Sequence, residues 1–142
     1  MSVIGFVHMF GVGIWLGLVA VESVIELVGR LDVEKERTAA KMHFYTDIFV
    51  EVPIILLVLV TGLMLFDADK MEGWYAVKVV CGLAAIFTNL LCVVFVIQRA
   101  KAIEHVDAQV LRAHSNKVFI TISALPLAGV AFFIGLHLLG LY

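Results

Sequence analysis

Apolar residues fill four long stretches of this chain, roughly Val3 to Val28, Phe44 to Phe66, Trp74 to Ile97 and Val118 to Leu141, and polar residues collect between them. A helix needs about 20 residues to cross a hydrocarbon core of ~30 Å, and each stretch is that long. The apolar period is helical, and the alternating ten-residue runs of a transmembrane barrel are absent; an open sheet would leave backbone polar groups unpaired in lipid. The pattern predicts an all-α fold: an integral membrane bundle of four transmembrane helices forming one domain over residues 1–142.

Composition strengthens this reading. Of 142 residues, 63% are hydrophobic and 15% charged, an apolar excess that a soluble core of this size could not bury. Arg30, Lys35, Arg37 and Lys41 follow the first stretch and Arg99, Lys101, Arg112 and Lys117 the third, whereas only Lys70 lies in the remaining loop. The positive-inside rule then places both termini outside a cytoplasmic (inner) membrane that the chain crosses several times. Those basic residues are mixed with Asp32, Glu34, Glu36, Glu104 and Asp107, and the net charge is −2, so no nucleic-acid partner is expected. No basic region precedes the first apolar run, which is also too long for a signal peptide, so the first helix is read as retained. Cys81 and Cys92 stand about 16 Å apart along one helix, beyond disulfide reach, and are read as packing residues.

Both basic segments look like amphipathic helix extensions, since Ile103, Val106 and Val110 recur at helical spacing among charges. The short loop from Asp67 to Gly73 ends at Trp74 and Tyr75, which suits an aromatic belt. Pro53 and Gly62-Leu63 have the same spacing as Pro126 and Gly135-Leu136, with His43 and His114 preceding them, a candidate two-plus-two repeat. A membrane proline frees a backbone carbonyl, and a glycine permits close helix approach.

The chemistry sorts by depth. In the outer half, His8, Met64, Lys78 and His137 give one polarizable or ionisable side chain from each helix. Two imidazoles across a bundle suit the axial positions of a haem iron, with Lys78 beside a propionate. The plainer alternatives are a histidine bonded to a neighbouring helix, a lysine reaching the headgroups and a methionine filling space.

In the inner half, Glu22 and Glu26 lie one turn apart on the first helix, while His43, Asp47 and Glu51 follow at four-residue spacing on the second. Glu22 and Glu51 fall at similar depth, and His114 and Asn116 stand near the shallower members. Carboxylates in hydrocarbon need a shared proton, a bound cation or water, and histidine with carboxylates suits a divalent metal such as zinc, iron or manganese. The competing reading extends the helices beyond the membrane, leaving Glu26, His43 and Asp47 solvated and paired with Arg30 or Lys41. His105 is read as a loop residue.

His8, Trp15, Gly17 and Leu18 resemble the His, Trp and Gly signature that opens the HemJ-type protoporphyrinogen oxidases and the related copper-resistance D membrane proteins. Pro53 with Gly62, the segment from Trp74 to Lys78, and Phe119 followed by Pro126 extend the likeness along the chain. The resemblance implies four core helices and haem b held by a first-helix histidine, here His8, with Lys78 as the important lysine of the third helix. The chain departs from that pattern at Val21, Glu22, Ser23 and Glu26, where the family carries arginine, and at Ser123, Ala124 and Leu125, where it carries Asn-Glu.

The leading expectation is therefore a haem-b-binding membrane redox protein of protoporphyrinogen oxidase type. Its cofactor residues would be His8, His137, Lys78 and Trp15, and Lys78, Glu22 and Glu51 would act on a porphyrinogen or quinol substrate, the carboxylates in proton transfer. The alternative is a divalent metal or copper binding or transport protein using Glu22, Glu26, His43, Asp47, Glu51 and His114, with the helix broken near Pro53. A third is a small subunit of a respiratory complex. The lipid bilayer is the certain neighbour, and a homodimer is compatible with so small a bundle.

Overall fold

The computed structural model describes residues 2–103 and 108–138. Within them the chain is helical, with no strand. Helix α1 spans Val3–Gly29, α2 Val33–Thr46, α3 Val52–Met64, α4 Gly73–Ala102, α5 Ala108–Ile120 and α6 Ala124–Leu138. Since α2 runs into α3 and α5 into α6, four helical rods result, each long and apolar enough to cross a membrane: Val3–Gly29, Val33–Met64, Gly73–Ala102 and Gln109–Leu138. The protein is a multi-pass helical membrane protein.

The rods exceed the expected spans because the amphipathic segments continue them. The second begins at Val33 rather than Phe44, the third reaches Ala102 rather than Ile97, and the fourth starts ahead of Val118. Val106 and His105 lie outside the described residues, as does the expected end at Leu141.

The burial pattern explains the two interruptions. An α-helix turns about 100° per residue, so each four-residue step overshoots a full turn by about 40°. His43, Asp47, Glu51 and Ile55 are all buried and take three such steps. A π turn over Asp47–Glu51 absorbs the drift and keeps them on one face. In the fourth rod Ser115, Val118, Thr121 and Ala124 are buried at three-residue steps, and there a 3₁₀ turn covers Thr121–Ser123.

Each proline lies just beyond one of these turns. A helical proline clashes with the carbonyl four residues earlier, and those residues, Phe49 for Pro53 and Ile122 for Pro126, lie within the π and 3₁₀ turns. The candidate repeat thus places its prolines equivalently but bends its halves by opposite devices.

Exposed residues such as Phe6, Phe10, Phe49, Leu63, Val80, Phe87 and Phe133 form the outer surface expected of a bundle whose solvent is lipid. Val12, Trp15, Val19, Ile55, Val58, Ala85, Ile86 and Ala128 form the apolar core between the rods. At the turn between α1 and α2, a side chain on Gly29 would bring Cβ within 2.7 Å of Ala39 Cβ, so glycine lets the hairpin close. Asp32 caps α2 by accepting from Lys35 N–H at 2.8 Å, and this bond with the adjacent ammonium holds its carboxyl below the usual range. Arg30 donates to Asn116 at 2.9 Å and stacks over Phe119, while Arg112 pairs with Glu36 at 3.4 Å, tying both helical hairpins together at this end.

Candidate functional site

Two polar regions lie within the bundle, one above the other. At the end where α1 begins, a cavity of about 230 Å³ opens among α1, α3, α4 and α6, lined by His8, Trp15, Gly62, Lys78, Gly82 and Phe132 among mainly apolar side chains. His8 Nδ1 lies 3.1 Å from Val58 O and 3.0 Å from Thr61 Oγ1. A carbonyl oxygen can only accept, so the proton resides on Nδ1 and Nε2 keeps its lone pair. Thr61 supports this tautomer, because its hydroxyl donates to Leu57 O at 2.6 Å and is left to accept from His8.

Small residues make room for the imidazole and the ammonium. A Cβ on Gly62 would stand 3.1 Å from His8 Cε1, and one on Gly135 would stand 3.4 Å from Lys78 Cε. These are the two glycines of the candidate repeat, and both border the cavity residues. Lys78 forms no ion pair among the described residues.

Trp15 is the wall between the two regions. It is 2% exposed, lines the cavity, and donates its indole N–H to Glu51 Oε1 at 3.0 Å.

Beyond Trp15 lies a chamber of buried charge: Glu22, Glu26, His43, Asp47, Glu51 and Arg99 are each at most 4% exposed. Arg99 grips Glu26 with two bonds, Nη1 to Oε2 at 2.7 Å and Nη2 to Oε1 at 2.5 Å, the bidentate fork to which guanidinium is suited. Arg99 Nη1 also donates to Ser115 Oγ at 3.3 Å.

His43 Nδ1 stands 2.5 Å from Glu26 Oε1, so it too carries a proton toward an oxygen acceptor. Its Nε2 faces Asp47 Oδ1 at 3.2 Å and Glu22 Oε2 at 3.7 Å. Oxygens of Glu22, Asp47 and Glu51 all approach within 4.8 Å of one another, and ligand atoms of His43, Asp47 and Cys92 form a second such group. Glu22 Oε1 and both Asp47 oxygens have no hydrogen-bond donor among the described residues.

The solvated reading of Glu26, His43 and Asp47 is therefore corrected: all three are buried, and Glu26 pairs with Arg99 rather than Arg30 or Lys41. The structure also separates some expected site residues. His137 and Met64 are exposed and do not line the cavity; Met9 occupies the lining instead. His114 is half-buried with Nδ1 unpaired and belongs to neither group of ligand atoms. Its neighbour Ser115 turns inward to Arg99 instead, and Asn116 bonds Arg30.

Sequence spacing does not mark Arg99, Ser115, Thr61 and Cys92 as site residues. A signal existed for those of α4: Ala85, Asn89, Cys92, Val96 and Arg99 alternate four- and three-residue steps, the inward stripe of that helix. Arg99, which charge alone groups with a basic loop, is the last member of the stripe.

A helical membrane protein carrying an anchored imidazole at each of two levels is thus defined. No protein-family model matches the chain, nor does any curated protein or solved structure.

Proposed function

We propose that this chain is a haem-b-binding redox protein of the cytoplasmic membrane, with both termini outside and His8 as an axial ligand to iron. The observation that carries the reading is the anchoring of His8. A metal-ligating histidine characteristically gives its other ring proton to a carbonyl or carboxylate, which fixes both tautomer and orientation, and His8 gives its Nδ1 proton to Val58 O.

The cavity residues fit the group: an imidazole for the iron, apolar walls for the macrocycle, and the Lys78 ammonium for a carboxylate substituent. When bound, haem b supplies one-electron transfer between a porphyrinogen or quinol substrate and a membrane acceptor. The chain's own contribution is to hold the His8 lone pair in place, to present Lys78 to an anionic group, and to close the cavity floor with Trp15. His137, being outside the lining, has no part in this reading. The outward orientation rests on the eight basic residues around the two longer connections.

The test is spectroscopic. Protein expressed with haem available and purified in mild detergent is expected to give a b-type reduced-minus-oxidised spectrum, which His8→Ala abolishes or shifts. A colourless, iron-free preparation overturns the reading, and an unchanged His8→Ala spectrum overturns the ligand assignment.

A further inference from the structure

We propose that the chamber beyond Trp15 is a resident site for one divalent first-row transition-metal ion, held by carboxylate oxygens of Glu22, Asp47 and Glu51 and by Nε2 of His43. This goes beyond the haem reading and is independent of it.

Charge is the first argument. Glu26 is neutralised by Arg99, whereas the three carboxyl groups of Glu22, Asp47 and Glu51 share, among the described residues, the His43 imidazole alone as a basic group facing them. Carboxylates in a membrane-spanning bundle demand a counter-charge. A divalent ion supplies that counter-charge, and the Trp15 indole N–H already supports Glu51.

Unmet bonding is the second. Asp47 is fully buried, yet among the described residues neither of its oxygens has a hydrogen-bond partner, and the same holds for Glu22 Oε1. Buried polar atoms without partners are uncommon enough to require an explanation, and an ion is one of the few available.

The histidine is the third. With Nδ1 held by Glu26, His43 brings Nε2 to 3.2 Å from Asp47 Oδ1 and 3.7 Å from Glu22 Oε2, so an ion seated among those oxygens has the ring nitrogen beside it and takes the place of any proton it carries. Glu26, His43 and the ion then form the carboxylate–histidine–metal arrangement in which the outer carboxylate orients the ring.

The donor set selects the ion. An imidazole among carboxylates favours manganese, iron or zinc over the all-oxygen shells of magnesium and calcium, and Cys92 Sγ nearby leans the same way. The enclosure argues for residence rather than passage, because Trp15 closes one side and the Glu26–Arg99 pair stands at the other. The π turn is what places His43, Asp47 and Glu51 on one face to make the site.

The test uses the full chain in mild detergent, carrying Trp74→Phe so that Trp15 is the sole tryptophan reporter. After chelator treatment, Mn²⁺ titration is expected to quench Trp15 emission with one equivalent per chain, and Zn²⁺ to reverse it by competition. Glu22→Gln and Asp47→Asn should each weaken Mn²⁺ binding tenfold or more, whereas exposed Glu34→Gln should leave it unchanged. Absence of stoichiometric binding, or equal affinity in Glu22→Gln and Asp47→Asn, overturns the proposal and assigns the chamber to shared protons. Should those variants fail to fold, electron spin echo of Mn²⁺ bound to the otherwise unaltered chain decides: nitrogen modulation from an imidazole supports the site, and its absence overturns it.

Discussion

His8 and His43 occupy the two levels of one bundle and are anchored alike, each giving its Nδ1 proton to an oxygen and keeping Nε2 for what it faces. Their surroundings differ. His8 borders an apolar cavity whose lining also carries Lys78 and Tyr75, while His43 faces carboxylates and stands beside a guanidinium bound to Glu26. The comparison teaches that orientation of an imidazole and selection of its ligand are separate tasks. The Nδ1 acceptor performs the first, and the residues around Nε2 perform the second, suiting a large apolar cofactor at one level and a transition-metal cation at the other.

The largest expected effect comes from removing the guanidinium that holds the carboxylate level together. Arg99→Gln leaves Glu26 buried without its bidentate partner, and breaking a buried pair from one side costs about 3–5 kcal/mol. Thermal unfolding in detergent, followed by circular dichroism, should show that loss while the His8 cavity keeps its spectrum in whatever protein remains folded. Replacing both partners, Arg99→Met with Glu26→Leu, should recover much of the stability, because no lone charge stays behind. A loss below about 1 kcal/mol in the single variant, the range of exposed pairs, would mean that the chamber is hydrated and that the two levels are less different than their burial implies.

Trp15→Phe tests whether the levels communicate. The ring volume is largely kept but the indole N–H is lost, leaving a buried oxygen of Glu51 one donor short, at a cost of about 1–3 kcal/mol. Because Trp15 lines the cavity and bonds the chamber, both readouts should move: the haem spectrum on one side and metal affinity on the other. A change confined to one side would break the picture of a shared wall.

Much of this arrangement was legible in the sequence, and the gaps have physical causes. The four apolar rods follow from length and hydropathy alone, and the inward faces of Glu22 with Glu26 and of His43 with Asp47 and Glu51 follow from helical spacing. What spacing could not supply was the compensation at Asp47–Glu51, since four-residue steps on a regular helix drift away from one another and only a π turn realigns them. Depth was the other difficulty. Arg99 has the composition of a surface loop residue, and its burial depends on Glu26 from a helix 73 residues away, a long-range pairing that no local pattern encodes. His137 failed in the opposite way: its depth matched that of His8, but its side chain is exposed, and depth without rotation does not define a facing pair.

The smallest predicted effect bears on the orientation of His8 itself. Thr61→Val is close to isosteric and removes one of the two oxygens that receive the Nδ1 proton, leaving Val58 O in place. A net loss of about 1 kcal/mol is expected, the usual contribution of one hydrogen bond. The carbonyl still fixes the tautomer, so haem binding should persist with a shifted spectrum or midpoint potential, because hydrogen bonding to the distal ring nitrogen tunes the basicity of the ligating one. Manganese binding in the chamber should not change, since Thr61 touches none of its ligands. Complete loss of the haem signal in Thr61→Val would show that the hydroxyl, not the carbonyl, orients His8; an identical spectrum would show that Val58 alone suffices and that the Thr61 contact is packing.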